Sequence, residues 1–440
     1  MGGGVRVLSA DWVLPVEGAP LANGAVAIED GRIAAVGTTA ELGEGERFPD
    51  AAIVPGFVNA HTHLEYAVYA GFGDGLSFGP WITTHVERKR RLERADMEAI
   101  ARLGAAECLR SGVTTVGDLA FSGASAHACA ELGLRAIVYL EVFGRGAADA
   151  MHQFAEKREY VTPALSERVR LGVSPHAPYT CSTEVYAAAA ALGLPVATHL
   201  NESGDELDWL LRGEGPWEPF GEMLVEPDGQ SGIRRLAAAG LLDESVVAAH
   251  CVKVDDEEIG LLARHGVAVA HCPRSNALLG CGVAPLDELR AAGLRVGVGT
   301  DGISSVPSHD FFDELRTVIA STRARTERAD ALAAGEALEL ATLGGARALG
   351  LEAEIGSLVP GKRADVAVVS LAGSPYLPWE DPAAAVVYGG APERVQATLV
   401  GGRTRYERGG FEWHELIDAA SRARGRMLQS PAHAGTSAQR

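Results

Sequence analysis

The chain has 440 residues, 47% hydrophobic, 22% charged and 6% aromatic, long enough to bury a large core without staples. Its 58 acidic and 39 basic residues leave a formal charge of −19, which repels phosphate backbones and anionic lipid, so neither a nucleic-acid nor a membrane partner is expected. No run of roughly 18 apolar residues is present to span a bilayer, and the opening MGGGVRVLSADWVLP has no signal-peptide pattern, so a cytoplasmic protein is expected.

Six scattered cysteines form no CxxC pair and read as reduced, buried thiols. Residues 1–54 read as short strands broken by turn chemistry such as Asn23-Gly24 and Asp30-Gly31, and residues 355–412 read the same way. The two ends are expected to pair into one composite β-sandwich domain. Residues 413–440 follow as a C-terminal helix and a tail, from about Gln429, of disordered composition.

Between these ends, residues 55–354 alternate short apolar runs with helix-compatible stretches. The runs are 53–59, 113–118, 135–142, 169–175, 195–200, 246–250, 267–271 and 295–300. Eight buried-type strands in βα alternation predict an α/β fold of the (β/α)8 TIM-barrel type, with a doubly wound sheet as the competitor. Polar residues separate the two. His61, His63, Asp118, Glu141, His176, His199, His250, His271 and Asp301 all sit at the ends of runs, where a barrel would gather them at one mouth.

In PGFVNAHTHLE, His61 and His63 are two apart in a strand and so share a face. With His199 in ATHLNE and Asp301 in GVGTD they offer three imidazoles and a carboxylate to one divalent metal, Zn²⁺ first and Fe²⁺ as the alternative. Glu202, three residues beyond His199, is placed to take a proton from a water and pass it to a substrate nitrogen. His250 is placed to hydrogen-bond the attacking water or its anion. None of the four lysines falls on the fourth run, so no carbamylated lysine bridges a second metal and His176 is left to contact substrate.

The segments PGFVNAHTHLE, SPHAPYTCS, THLNES, AHC and VGVGTD resemble the amidohydrolase superfamily, in its aminohydrolase and chlorohydrolase branch. The resemblance covers nearly the whole chain. It implies a metallo-barrel with His61, His63, His199 and Asp301 as ligands, and Glu202 and His250 as catalytic residues. HCPRSNALLGCGVAPL and HTHLE are similar to the aminodeoxyfutalosine deaminases of menaquinone biosynthesis, with the methylthioadenosine/S-adenosylhomocysteine deaminases as close relatives. The latter carry a ribose-binding Glu in a segment resembling 76–81, where this chain has Gly79 and Pro80, so Glu65 is the candidate for the sugar.

The resemblance therefore implies hydrolytic deamination at a purine-like carbon, with Asp301 also relaying a proton to the departing amine. A substrate benzoate would need a guanidinium, for which Arg145 and Arg274 are the candidates. The rivals are hydrolysis of another leaving group, such as chloride from a triazine, and a catalytically silent metal-binding protein. A homodimer is expected by family analogy. The helical stretch 311–323 is assigned either to a subunit contact or to the barrel wall.

Overall fold

The computed structural model describes residues 4–429. Eight parallel strands follow the order of the chain: Phe57–His63, Val113–Ala120, Arg135–Val142, Val169–Pro175, Val196–Leu200, Val246–His250, Ala268–His271 and Arg295–Val298. The short strand Asp301–Gly302 then pairs with the first, through Asp301 opposite Thr62. The two edges of the sheet are thus consecutive pieces of chain, and the sheet closes. Asn59 and Thr300 bond side chain to backbone and side chain to side chain across the seam, at 3.0 and 2.8 Å. A closed ring with helices between its strands is the expected TIM-type barrel; a doubly wound sheet would stay open.

The first predicted run splits in two. Residues 53–55 belong to the strand Glu46–Pro55 of the end sheet, and the barrel strand begins at Phe57. At the junction Gly56 N–H donates to Asp365 at 2.9 Å, and Phe57 N–H to Gly112 at 3.0 Å, so the chain passes from one sheet to the other within two residues.

The end sheet has eight strands. Its path runs Arg403–Glu407, Val395–Val400, Val366–Ser370, Glu46–Pro55, Arg6–Val13, Gly24–Glu29, Arg32–Thr38, with Leu21–Ala22 beside Arg6–Val13. Both chain ends contribute, as the sequence implies. The hydrogen bonds follow one path through seven of the eight strands, and the sheet folds over its own core of Leu8, Val26, Ile33, Ile53, Val366 and Leu399. Its far edge comes back to the middle, where Ala364 N–H reaches Gly31 at 2.9 Å.

One buried ion pair stitches the two units. Arg135, the first residue of the third barrel strand, grips Asp365 with Nε–Oδ2 at 2.8 Å and Nη2–Oδ1 at 3.1 Å. The helix Phe311–Thr326 lies on the barrel, Phe311 and Phe312 packing on Phe57 at 5.5 and 5.2 Å between ring centroids. The last helix, His414–Leu428, packs against Arg94–Arg110 and pairs Arg426 with Asp96. The tail beyond Gln429 lies outside the described residues. Among the described residues, no helix is long and apolar enough to cross a membrane.

Removing one partner of a buried pair strands the other charge, so Asp365→Ala is expected to cost about 3–5 kcal/mol. Urea unfolding followed by circular dichroism measures it. A loss below about 1 kcal/mol would mean that the pair carries no tie between the units.

Candidate active site

The first barrel strand does not keep a simple alternation. Val58 and Ala60 pack inside the barrel with Leu119, Tyr139 and Ala197, so strict period two would next turn Thr62 inward. A bulge prevents this: between Asn59 and Thr62 the strand gains one residue on its neighbour, which advances only from Val116 to Asp118. The extra residue reverses the phase, and His61 and His63 face the mouth. Gly299 makes room for His61, since a Cβ there would lie 2.8–2.9 Å from His61 backbone and Cβ atoms.

His61 Nε2 and His63 Nε2 each stand 3.4 Å from Asp301 Oδ1, and His199 Nε2 stands 3.4 Å from His63 Nε2. Side chains dispersed from position 61 to position 301 thus converge on one point. The rings are aimed from behind: His63 Nδ1–H donates to the Leu119 carbonyl at 2.9 Å and His199 Nδ1–H to that of His176 at 2.7 Å, leaving both Nε2 lone pairs forward. Ser275 and Ser305 donate to Asp301 Oδ2 at 2.6 and 2.7 Å, which turns Oδ1 toward the imidazoles. Asp301 takes a left-handed φ of 62°, a strained backbone for a residue other than glycine.

The set fits a divalent metal ion. Nitrogen ligands at 2.0–2.1 Å in tetrahedral array lie about 3.3 Å apart, close to the 3.4 Å separations here. His61 Nε2 is buried with no hydrogen-bond partner, the state of a lone pair reserved for a ligand. Burial depresses the His63 pKa to about 3, with His61 opposing its charge further, so the ring is neutral and able to coordinate.

Glu202 and His250 flank this centre, with Glu202 Oε1 3.6 Å from His250 Nε2 and both within 4.8 Å of Asp301. Burial raises the Glu202 carboxyl well above its ordinary range, and Asp301 and Glu206 add to the effect. Glu206 accepts from the backbone N–H groups of Asn201 and Glu202 at 3.1 and 2.8 Å, fixing the turn that carries the carboxyl. His250, at a left-handed φ of 71°, donates Nδ1–H to Asn276 Oδ1 at 2.9 Å. Its Nε2 is then a buried acceptor with no hydrogen-bond partner, aimed beside Glu202. Burial holds its pKa down at about 4.

A cavity of about 300 Å³ opens from these groups and is walled by Phe78, Trp81, Phe143, Tyr179 and Trp217. Tyr179 and Trp217 stack at 4.6 Å, and Trp81 Nε1–H is anchored to the Ser304 carbonyl at 2.8 Å. His176 lines the cavity as expected. The other three substrate candidates do not. Glu65 is fully buried and accepts from Ser122 and Ser125 N–H at 2.8 and 3.4 Å, at the start of the helix Ala124–Leu132. Arg145 is half exposed and pairs with Glu226 at 3.1 Å. Arg274 is buried and bound to Glu314 and to the Ser308 carbonyl, where it secures the loop after Asp301. At Gly79 a Cβ would sit 2.3 Å from Pro216 Cγ, so this position serves close packing.

The charged lining of the cavity beyond the metal and catalytic groups is instead Lys89, Glu87 and Arg90, on or directly after the helix Phe78–Lys89, and Glu141 of the third barrel strand. Lys89 Nζ sits 3.7 Å from the Phe121 ring centroid and 3.4 Å from Tyr66 Oη. Burial disfavours the charges of Lys89 and Glu141, pushing the lysine pKa down and the glutamate pKa up. Sequence carried one signal for each: Lys89 is among only four lysines, and Glu141 stands at the end of a run.

A closed parallel barrel with three imidazoles, a carboxylate and a poised acid–base pair at its strand C-termini defines a metal-dependent hydrolase. The amidohydrolase family model matches residues 52–405, and the chain belongs to that family. A short match at 24–44 is to an imidazolonepropionase-like composite domain of bacteria. The chain is 35% identical to a 5-methylthioadenosine/S-adenosylhomocysteine deaminase of Moorella thermoacetica over 90% of its length and 93% of that protein's. It is 33% identical to a 5'-deoxyadenosine deaminase of Methanothermobacter thermautotrophicus, over 89% and 91%. Among solved structures, a zinc-bound adenosine deaminase from Xanthomonas campestris aligns with a TM-score of 0.86 at 29% identity, over 96% and 98% of the two chains. An atrazine chlorohydrolase from Arthrobacter aurescens TC1 (TM-score 0.83, 22% identity, 95% and 100%) shares the fold. The protein is a hydrolytic enzyme of the aminohydrolase type.

Gly299→Ala forces a methyl group against His61. The purified variant is expected to hold less than half the wild-type metal per chain by elemental analysis, while its circular dichroism is retained. Full metal content would show that the approach of Gly299 does not set the site.

Proposed function

We propose that the enzyme hydrolytically deaminates an adenine-type nucleoside, with 6-amino-6-deoxyfutalosine as the preferred substrate and Zn²⁺ as the native ion. The observation that carries the reading is the Glu202–His250 pair beside Asp301, at the base of an aromatic cavity suited to a planar base. The deaminase relatives support the adenine moiety. His61, His63, His199 and Asp301 would hold the ion, which supplies Lewis acidity able to bring the pKa of a water down toward about 7.

The residues divide the remaining work. His250 Nε2 accepts one O–H of the attacking water and aims its oxygen at the ring carbon that bears the amine. Glu202 takes the water's first proton and delivers it to the adjacent ring nitrogen, which makes the carbon electrophilic. The carbon–oxygen bond forms. The second proton passes through Asp301 to the amine, the carbon–nitrogen bond breaks, and ammonia leaves a ring carbonyl.

Lys89 takes the substrate-tail role first given to Arg145 and Arg274, because it lines the cavity and they do not. An ammonium there suits a tail with a carboxylate, which favours the futalosine-type substrate. A second reading, a methylthioadenosine or S-adenosylhomocysteine deaminase, is favoured by the 35% identity to such an enzyme. A panel of both substrates with adenosine and 5'-deoxyadenosine, scored by ammonia release and the ultraviolet change, separates the two. The highest kcat/KM is expected for aminodeoxyfutalosine; a preference for methylthioadenosine transfers the assignment to the second reading.

Glu202→Gln is expected to keep the metal and lower kcat by about 10²–10⁴, read by single-turnover ammonia release. Lys89→Met is expected to raise KM for the carboxylated substrate at least tenfold and to leave KM for adenosine within a factor of about three. Equal effects on both substrates would remove Lys89 from tail recognition.

A further inference from the structure

A second cavity, of about 750 Å³, lies at the other end of the barrel, between its strand N-termini and the end sheet. Six arginines line it: Arg6, Arg135, Arg168, Arg363, Arg403 and Arg405. Arg135 opens the third barrel strand and Arg168 directly precedes the fourth, whereas Arg403 and Arg405 lie on the last strand of the end sheet. From Arg135 to Glu141, along one strand, is about 20 Å at 3.3 Å per residue. The cavity is therefore separate from the catalytic mouth.

Three of the six have acidic partners. Arg135 is held by Asp365, Arg6 by Glu46 and Arg363 by Glu167. Arg168, Arg403 and Arg405 have no carboxylate within 4.0 Å among the described residues, and Asp30 on the rim reaches none of them. In a chain with 58 acidic residues against 39 basic ones, three converging guanidiniums without a carboxylate are a specific arrangement.

The arrangement is also unfavourable as it stands. Arg168 Nε and Arg405 Nε are buried N–H donors with no acceptor. Burial lowers the pKa of both side chains, and the charges work against one another: Arg135 and Arg403 on Arg168, Arg168 and Arg403 on Arg405. A multiply charged anion supplies what is missing, with oxygens for the unused planar donors and negative charge for the crowded cations. Against the global field of −19, only a ligand of high charge density gains from so local a cluster.

We propose that Arg168, Arg403 and Arg405 form a binding site for polyphosphate groups, a diphosphate or longer, at the joint between the barrel and the end sheet. Free inorganic polyphosphate and the phosphate chain of a nucleotide share this chemistry. The site is independent of the assignment of the substrate.

The test is isothermal titration of the metal-loaded protein with inorganic pyrophosphate, tripolyphosphate and ATP, each without magnesium, with sodium sulfate at equal ionic strength as control. Saturable binding of pyrophosphate at least tenfold tighter than sulfate is expected, weakened at least tenfold in Arg168→Met/Arg405→Met. Arg403→Met, an exposed single change, provides a second variant if the double one does not fold, and is expected to weaken binding at least threefold. Both variants are expected to keep the deaminase activity of the unliganded enzyme. Tripolyphosphate binding as tightly as ATP identifies the free polyphosphate; ATP binding at least tenfold tighter identifies the nucleotide. Pyrophosphate binding no tighter than sulfate, or unchanged in a folded variant, overturns the proposal.

Discussion

Three imidazole nitrogens and one carboxylate oxygen, buried and linked by 3.4 Å separations from His61 and His63 to Asp301 and from His199 to His63, are the constraint that organises this molecule. Lone pairs facing one another in a dry interior are costly unless a cation shares them. The surrounding fold is arranged to hold them there regardless. A bulge turns the first strand, a glycine on the last segment lets His61 approach, two carbonyls orient rings from behind, and two serines turn the aspartate. Each is a backbone or hydroxyl device contributed by a different part of the ring, so barrel closure and ligand convergence are one event.

Chemistry and recognition are carried by different classes of element. The ligands, Glu202 and His250 stand at strand ends or directly after them, where the hydrogen-bonded sheet limits their movement. The cavity wall comes largely from the helix Phe78–Lys89 and from the segment around Trp217, both outside the sheet. Such a division lets substrate preference change by substitution in the covering segments while the reacting geometry persists.

The strands and their polar ends were legible because each is a local pattern: a buried parallel strand is a short apolar run, and its C-terminal residue is polar when it faces the mouth. The bulge before His61 was not legible, since an inserted residue leaves the HxH spacing unchanged. Nor was the passage at Gly56, where apolar residues on both sides belong to different sheets. Glu65, Arg145 and Arg274 illustrate a further limit. Each lies near a motif in sequence, but each is taken by a distant partner (Ser122, Glu226 and Glu314), and nothing local records such pairings. Lys89 and Glu141 were set apart by rarity and position, yet their meeting depends on how the covering helix crosses the third strand.

The final helix extends the reach of the catalytic mouth to the far end of the chain. Arg424 donates to the carbonyls of Val68 and Ala70, just after the metal-binding motif, and Arg91 in turn donates to the carbonyls of Met427 and Gln429. The loop that leads into the cavity wall is thereby moored to residues more than 350 positions downstream. Proteolytic trimming of that last helix would slacken the wall while sparing the ligand cage, so a clipped enzyme would grip its nucleoside less firmly before it surrendered its ion.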